Sequence, residues 1–353
     1  MTEWPLKRLM TEVVGSGPRS AEDMSHEQAT AAFRQILARE PDPTTLGAFL
    51  LANRWKRNTP EELAAFLDVM IEESVVRRKP PQPVIDCGAN YDGKTRTALL
   101  GVAAGIVTAA AGSPVVVHSG DRVPTQEACA YKHVLEALSI PTELKPEESA
   151  RMVDTTGFGF YYQPRFNPGI HALLDRRAQM GVRTFVNTIE TLANPAGASV
   201  HIGSFYHLAF AKKMIGAIDA SDRANFDRVL LFQGIEGYDD VRPGYTKVAE
   251  WDGDEISSWE IEPEDLNLTF EMDDLEVEDV PTDSARITRE VLDGVREGPF
   301  VEATLLNAAL RLYAMQEVED IEAGLDRART VIADGSAKDL LHELQAFAPR
   351  AEP

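Results

Sequence analysis

Residues 79–87 read Lys-Pro-Pro-Gln-Pro-Val-Ile-Asp-Cys, and the pattern of the chain changes at this stretch. Its three prolines end any preceding helix and form a stiff linker, because proline has no backbone N–H and cannot continue a helix. The segment that closes it, residues 83–87, has the β-branched, apolar character of a buried strand. We therefore expect one architecture before this stretch and another after it.

The residues before the linker predict helices only. A capping box stands at Ser25–Gln28, Thr44 can cap a second helix, and residues 59–62 read Thr-Pro-Glu-Glu, a strong helix start. Apolar residues recur at helical spacing after each start. They are Ala29, Phe33, Ile36 and Leu37, then Leu46, Phe49 and Leu50, then Ala64, Phe66, Leu67 and Met70. Residues 1–80 are predicted to form a small all-helical domain.

The residues after the linker predict an α/β domain, residues 81–353, with a mostly parallel central sheet. Short β-branched runs alternate with helical stretches, which is the pattern of a parallel sheet with crossover helices. The runs are 83–87, 114–118, 200–202 and 228–232, and the helical stretches are 98–111, 168–181, 305–312 and 321–332. Helices around 168–190 are expected to join the N-terminal domain. The acidic stretch 253–285 is expected to form exposed loops with short elements.

Composition excludes several classes of protein. The chain has 353 residues and a net charge of −22, with 25 Arg and 10 Lys. Nucleic-acid binding is therefore not expected, because it depends on cations that release counterions from phosphates. We interpret the acidic, lysine-poor balance as a halophilic surface. No apolar run of about 18 residues predicts a membrane span, no secretory signal is evident, and two cysteines give no disulfide framework. A cytoplasmic location is expected.

Residues 88–95 read Gly-Ala-Asn-Tyr-Asp-Gly-Lys-Thr, which matches the phosphate-binding loop of nucleoside triphosphatases. Such an enzyme also needs a downstream apolar strand that ends in Asp, whereas residues 229–236 read Val-Leu-Leu-Phe-Gln-Gly-Ile-Glu. We therefore disfavour that class. Lys94, Thr95 and Thr97 still precede a predicted helix, whose N-terminus would favour an anion. The alternative is that a threonine caps the helix and Lys94 is a surface charge.

Several motifs together point to one family. Residues 181–187 read Gly-Val-Arg-Thr-Phe-Val-Asn and are followed by Asn-Pro-Ala at 194–196. Further along, residues 237–240 read Gly-Tyr-Asp-Asp and are followed by Thr-Lys-Val-Ala-Glu at 246–250. In order and spacing they resemble the anthranilate phosphoribosyltransferase family, glycosyltransferase family 3. The resemblance implies a pentosyltransferase of tryptophan biosynthesis that moves a phosphoribosyl group from phosphoribosyl pyrophosphate to an aromatic or nitrogenous acceptor. It also implies a homodimer.

The resemblance also implies a substrate site. In the family, a Gly-Thr-Gly-Gly-Asp loop binds phosphoribosyl pyrophosphate where this chain has residues 88–95. Its glycines become Ala89, Tyr91 and Asp92, its Asp becomes Gly93, and a second motif, Lys-His-Gly-Asn-Arg, becomes residues 118–122, His-Ser-Gly-Asp-Arg. The substrate-binding residues that it implies are Asn90, Asp92, Gly93, Lys94, Thr95, Thr97, His118, Asp121, Arg122 and Arg177.

Two of the implied roles have structural alternatives. Arg177 falls where the family binds the acceptor carboxylate, a task that suits a bidentate guanidinium, but it could instead form a structural ion pair. Asp239 and Asp240 are hard oxygen ligands suited to Mg²⁺, but adjacent aspartates in an acidic chain can also form a solvated loop.

A second function stays open. A divergent branch of the family, known for nucleic-acid binding, also replaces the glycine loop, and residues 91–94, Tyr-Asp-Gly-Lys, are similar to its version. The alternative is therefore a catalytically inactive paralogue that binds a nucleotide, a nucleic acid or a protein.

Overall fold

The N-terminal segment is helical, as the sequence predicts. We describe the protein from a computed structural model that covers residues 3–17 and 19–350. A short helix α1 (Leu6–Leu9) runs into a π-helical turn, Met10–Val14. Capping boxes start α2 (His26–Leu37) and α4 (Pro60–Glu73), whereas Asp42 rather than Thr44 caps α3 (Pro43–Lys56). Local start signals therefore fix these helix boundaries.

Within the described residues, seven strands form one sheet in the order β3-β2-β1-β4-β5-β6-β7. The first five in this order pair in parallel, and β6 and β7 are antiparallel. This arrangement confirms the predicted α/β class with a mostly parallel sheet. The strands are β1 (Ile85–Gly88), β2 (Val115–Ser119), β3 (Phe158–Tyr162), β4 (Val200–Phe205), β5 (Arg228–Gln233), β6 (Thr246–Trp251) and β7 (Ile256–Ile261).

Helices cover both faces of the sheet and form two apolar cores with it. They are α5 (Gly101–Ala110), α6 (Tyr131–Ala137), α7 (Pro146–Thr156), α8 (Gln163–Phe166), α9 (Pro168–His171), α10 (Leu174–Met180), α11 (Val186–Ile189), α12 (Leu208–Asp219), α13 (Val280–Leu292), α14 (Pro299–Ala314), α15 (Ile321–Ala333) and α16 (Ser336–Ala346).

Three expectations about elements are corrected. The stretch 168–181 is not one helix, because α9 and α10 are separated by a break at residues 172–173. The acidic stretch 253–285 contains β7, an edge strand that is exposed along most of its length, and the beginning of α13. The helix after the phosphate-loop pattern, α5, begins only at Gly101, so Thr95 and Thr97 do not cap it.

The segment around 168–190 packs against the N-terminal helices. The ring of Phe185 stacks on that of Phe66 at a centroid distance of 4.2 Å and meets Phe33 edge-on at 5.7 Å. Offset and edge-on aromatic pairs of this kind stabilise a core beyond the area that they bury. The position of the domain boundary at residue 80 stays a prediction.

In the described ranges, 3–17 and 19–350, no helix is long and apolar enough to cross a bilayer.

Candidate active site

A cavity of about 780 Å³ lies beyond the carboxyl ends of β1 and β4, against the N-terminal helices. Chain order reverses between these two strands, because β2 and β3 follow β1 on one side and β5 follows β4 on the other. Ligands of parallel α/β sheets bind at such a switch point. The lining includes Gly88 at the end of β1 and Asn90 after it, Ser204 and Phe205 of β4, and Phe210 of α12.

The cavity is cationic although the chain is strongly acidic. Arg54, Arg57, Arg183 and Lys213 line it, and no Asp or Glu does so among the described residues. Arg183 is paired with a carboxylate, but within the described part of the chain the other three have no carboxylate oxygen within 4.0 Å. Burial, followed by the charges of Lys56 and Arg57, lowers the pKa of Lys213. An anionic ligand would relieve this repulsion, so the cavity is suited to one.

The loop after β1 is held away from the cavity apart from Asn90, which lines it. Arg183 donates two hydrogen bonds to the buried Asp92 carboxylate, at 2.6 and 2.9 Å. Gly93 has φ +91°, and a Cβ there would lie 2.5 Å from the carbonyl carbon of Ala128. Asp92 and Gly93 therefore fix the path of the loop, and only a glycine fits at residue 93.

Lys94 points into the protein rather than into the cavity. Its Nζ donates to Asp240 Oδ2 at 2.8 Å and to the Ala98 carbonyl at 2.7 Å, and the residue is 1% exposed. Both charges of this ion pair are out of water, so each depends on the other. The alternative of a surface charge at residue 94 is wrong.

Asp239 is neutralised in the same way. Arg311 of α14 donates to its Oδ2, and the hydroxyl of Tyr131 donates to its Oδ1. The alternative of a solvated loop is wrong, because both aspartates are fully buried. Asp240 Oδ1 is buried without a hydrogen-bond partner. No group of three or more His, Cys, Asp or Glu is placed to hold a metal within the described residues.

Thr95 and Thr97 bind an internal carboxylate. Glu236 Oε2 accepts from the Thr95 N–H at 2.8 Å and its hydroxyl at 3.0 Å, and Oε1 accepts from the Thr97 N–H at 2.9 Å and its hydroxyl at 2.7 Å. Burial alone would raise the pKa of Glu236, but these hydrogen bonds outweigh burial and lower it. The turn therefore binds an oxyanion of the chain itself, and it does so without the helix N-terminus on which the sequence prediction rested.

His118 belongs to a buried polar network beneath the cavity. Its Nδ1 meets the Tyr91 hydroxyl, and its Nε2 lies 3.2 Å from Asp86 Oδ1. His201 Nδ1 lies 2.8 Å from the other oxygen of Asp86. Burial would raise the pKa of Asp86, but its interactions with the two histidines lower it to about 2. His118 therefore does not face the cavity.

The other implied substrate residues also lie outside the cavity. Asp121 pairs with Lys132 at 3.3 Å and His133 at 3.0 Å, near the surface. The exposed Arg122 donates to the Glu127 carbonyl at 3.0 Å.

Arg177 forms the structural ion pair that the sequence left as the alternative. Its two terminal nitrogens donate to both oxygens of Glu190, at 2.7 and 2.6 Å, and the pair is buried. The edge formed by its two terminal nitrogens is therefore occupied by Glu190, and the remaining donor, Nε, is buried without a hydrogen-bond partner and does not line the cavity.

Sequence reasoning missed the residues that give the site its charge. Arg54 and Arg57 stand in the basic run before Thr59, and this run was the available signal for a cationic cavity wall. Arg311 stands in an otherwise apolar helix, where a buried arginine requires a partner. Glu236 and Lys213 carry no local signal, because their contacts depend on the fold.

Comparison with known proteins identifies the class of protein. A model of the glycosyl transferase family, a/b domain, matches residues 87–338, and one of the glycosyl transferase family, helical bundle domain, matches residues 12–74. The chain belongs to this family, as the sequence motifs predict.

The relatives of this chain within the family include anthranilate phosphoribosyltransferases. The chain is 32% identical over 327 residues to the anthranilate phosphoribosyltransferase of Dechloromonas aromatica, covering 91% of this chain and 93% of that protein. It is 31% identical over 332 residues to the enzyme of the same name from Natronomonas pharaonis, covering 93% and 97%. The predicted resemblance to anthranilate phosphoribosyltransferases is therefore confirmed.

Solved structures agree on the fold. The crystal structure of anthranilate phosphoribosyltransferase from Thermus thermophilus superimposes with a TM-score of 0.82 at 28% identity, covering 97% of this chain and 98% of that one. The Saccharomyces cerevisiae enzyme in complex with phosphoribosyl pyrophosphate and Mg gives a TM-score of 0.81 at 20% identity, covering 97% of each chain. At that identity the yeast structure supports the fold alone.

Proposed function

We propose that this protein transfers a phosphoribosyl group from phosphoribosyl pyrophosphate to a small anionic acceptor of the anthranilate type. The observation that carries the proposal is the cavity at the switch point, whose walls present Arg54, Arg57 and Lys213 without carboxylate partners. An aromatic amine that bears a carboxylate supplies both the missing negative charge and the nucleophile. The relatives described above are transferases of this kind, so they favour this function over an inactive binding paralogue.

The main contribution of the protein to this reaction is to stabilise the negative charge of the departing diphosphate. The bond from the ribose C1 to diphosphate oxygen breaks, and diphosphate keeps the electron pair. The amine nitrogen forms the new bond to C1 and then loses its proton. Cations that are already in place when the diphosphate departs stabilise its charge without the reorganisation that water requires. Three unpaired cations around the cavity are suited to this task.

Magnesium is the expected companion of the diphosphate, and the yeast enzyme binds phosphoribosyl pyrophosphate together with Mg. Mg²⁺ keeps several waters and is held through one or two carboxylates together with substrate phosphates. Asp240 offers one unpartnered oxygen, Oδ1, whereas both oxygens of Asp239 are already hydrogen-bonded. Of the two aspartates, Asp240 would hold such an ion through Oδ1, and the pair would not form a closed cage around it.

Calorimetric titration with phosphoribosyl pyrophosphate, with and without Mg²⁺ at high salt, tests the proposal directly. We expect saturable binding that is tighter with Mg²⁺, and release of diphosphate when anthranilate or a related aromatic amine is added. Absence of binding by the folded native protein would overturn the transferase function. Binding of a nucleic acid or a protein instead would favour the inactive paralogue.

We also propose a homodimer formed through the helical domain, a cytoplasmic location and a halophilic surface. Leu51 and Trp55 of α3 are 42% and 80% exposed, and an apolar helix face of this kind supports a contact between two copies. Light scattering with Trp55→Ala tests the dimer.

Unfolding at increasing KCl concentration tests the halophilic surface. A chain of charge −22 should be stabilised by salt, because salt screens the repulsion between its charges.

A further inference from the structure

The carboxylate of Glu236 occupies a complete set of oxyanion donors. Each of its two oxygens accepts one backbone N–H and one hydroxyl hydrogen, all from Thr95 and Thr97, at distances from 2.7 to 3.0 Å. Successive backbone N–H groups that converge on one point form an anion-binding concavity. Hydroxyls beside them serve a phosphate oxygen as well as a carboxylate. The turn is therefore built for an oxyanion, and its donors do not distinguish the carboxylate from a phosphate.

The backbone of Glu236 has an unfavourable conformation. Its φ is +55° and its ψ is 21°, in the left-handed region that a residue with a side chain seldom adopts. The neighbouring Gly237, at φ +80°, adopts the same region without penalty. Strained positions of this kind cluster at binding sites and switches. The carboxylate that fills the turn therefore belongs to a residue at such a strained position.

The turn that Glu236 occupies lies next to the cavity. Gly237 lines the cavity, and a Cβ on it would lie 3.3 Å from Asn90 Nδ2, which is also in the wall. The same two segments are tied a second time by the ion pair of Lys94 with Asp240. Thr95 is exposed, and Glu236, which fills the turn, is the chain neighbour of the cavity residue Gly237.

The family resemblance already implies a phosphate role for Thr95 and Thr97; we propose in addition that Glu236 is an exchangeable internal occupant of their turn. A diphosphate group enters by displacing the carboxylate, and the affinity of the native protein for it is lowered by the fraction of molecules in which Glu236 is bound. The identity of the ligand as phosphoribosyl pyrophosphate rests on the proposed function. The site itself requires only a phosphate or diphosphate group.

Titration of inorganic pyrophosphate into native protein and into Glu236→Ala tests the exchange. We expect Glu236→Ala to bind pyrophosphate at least about tenfold more tightly, because the internal competitor is gone. Thr97→Val in the Glu236→Ala background should reverse most of the gain, since it removes one hydroxyl donor from the turn. Equal affinity of the native protein and Glu236→Ala would overturn the proposal.

Glu276→Ala is the matched control for charge. Glu276 is an exposed carboxylate that pairs with Arg96 at 3.1 Å, and its residue is bridged to Thr97 by backbone, so the control also removes one negative charge near the turn. It should leave pyrophosphate affinity within about twofold of native, because exposed charges are screened by salt. A gain equal to that of Glu236→Ala would show a general charge effect and would overturn the exchange.

Two further measurements keep the outcome decisive. Glu236→Gln serves as the test if Glu236→Ala does not fold. It keeps the shape of the side chain but replaces the carboxylate by a neutral amide, which competes less well for the donors, so it should also bind pyrophosphate more tightly than the native protein. Turnover is scored separately from binding. Tighter pyrophosphate binding by Glu236→Ala without phosphoribosyl transfer by the native protein would contradict the proposed function but support the exchange. Phosphoribosyl transfer by the native protein, with no change of pyrophosphate affinity in Glu236→Ala, would support the proposed function and contradict the exchange.

Discussion

Lys94 and Asp240 form a buried ion pair, with Nζ 2.8 Å from Oδ2 and both side chains at most 1% exposed. In the sequence, Lys94 has the position of a phosphate-binding lysine and Asp240 that of a magnesium ligand. In the fold, the lysine neutralises the aspartate, and Arg311 neutralises the adjacent Asp239 in the same way. Each of the two buried carboxylates is therefore paired with a cation of the chain, and only Asp240 Oδ1 among their oxygens lacks a hydrogen-bond partner.

Removal of the Lys94 charge should destabilise the protein. Lys94→Met leaves Asp240 buried without a cation, and breaking such a pair costs about 3–5 kcal/mol. Urea unfolding measures the loss, and Lys212→Met, at an exposed lysine of α12, serves as the control with little change. Lys94→Met/Asp240→Asn should recover part of the stability. A loss below about 1 kcal/mol for Lys94→Met, the size of a surface pair, would contradict the buried pair.

Arg177 should act on stability rather than on acceptor binding. Arg177→Met strands the buried Glu190 carboxylate, so the free energy of unfolding should fall by about 3–5 kcal/mol. In a transfer assay run below the unfolding temperature, the acceptor KM should stay near the native value. A raised acceptor KM with unchanged stability would instead support the carboxylate-binding role that the family resemblance implies.

The sequence predicts those parts of the molecule that depend on local signals. The capping boxes at Ser25 and Thr59 are complete within four residues, so the starts of α2 and α4 follow from them. The edge strand β7 was missed because only Ile261 of its six residues is buried, which leaves no alternating pattern to detect. The parallel strands near the sheet centre, β2, β1, β4 and β5, are mostly apolar and buried, and the sequence predicts them.

The candidate site was located by its motifs, but its contacts could not be read from them. Residues 88–95, Thr97 and residues 237–240 were singled out, whereas Glu236 was missed. The pairs Lys94–Asp240 and Thr97–Glu236 join residues 146 and 139 positions apart. No periodicity or spacing predicts which charge meets which over that distance. The sequence around Lys94 therefore does not show whether the lysine binds a phosphate or forms an internal ion pair.

The unpaired cavity cations should determine affinity for anionic ligands. Arg57→Ala and Lys213→Met each remove one charge-assisted contact worth about 1.5–3 kcal/mol, so phosphoribosyl pyrophosphate or an anionic acceptor should bind about 10- to 100-fold more weakly. Calorimetry at two salt concentrations measures this, and the loss should shrink at high salt. Arg122→Ala, at an exposed arginine outside the cavity, is the control. Equal losses for all three variants would contradict a site in the cavity.

Glu236 should make stability depend on pH in the acidic range. Its pKa in the folded protein lies below the ordinary value of 4.5, since the Thr95 and Thr97 donors favour the carboxylate. The unfolded chain therefore binds the proton first as pH falls, and the stabilisation is complete above pH 4.5 and is lost as pH drops through the folded pKa. The difference in free energy of unfolding between native protein and Glu236→Gln should be largest near neutral pH and should shrink below pH 4.5. Urea unfolding at a series of pH values measures it, with Glu276→Gln as the variant of equal charge change. A difference that is constant from neutral pH to pH 3 would mean that Glu236 is not held as a carboxylate by the turn.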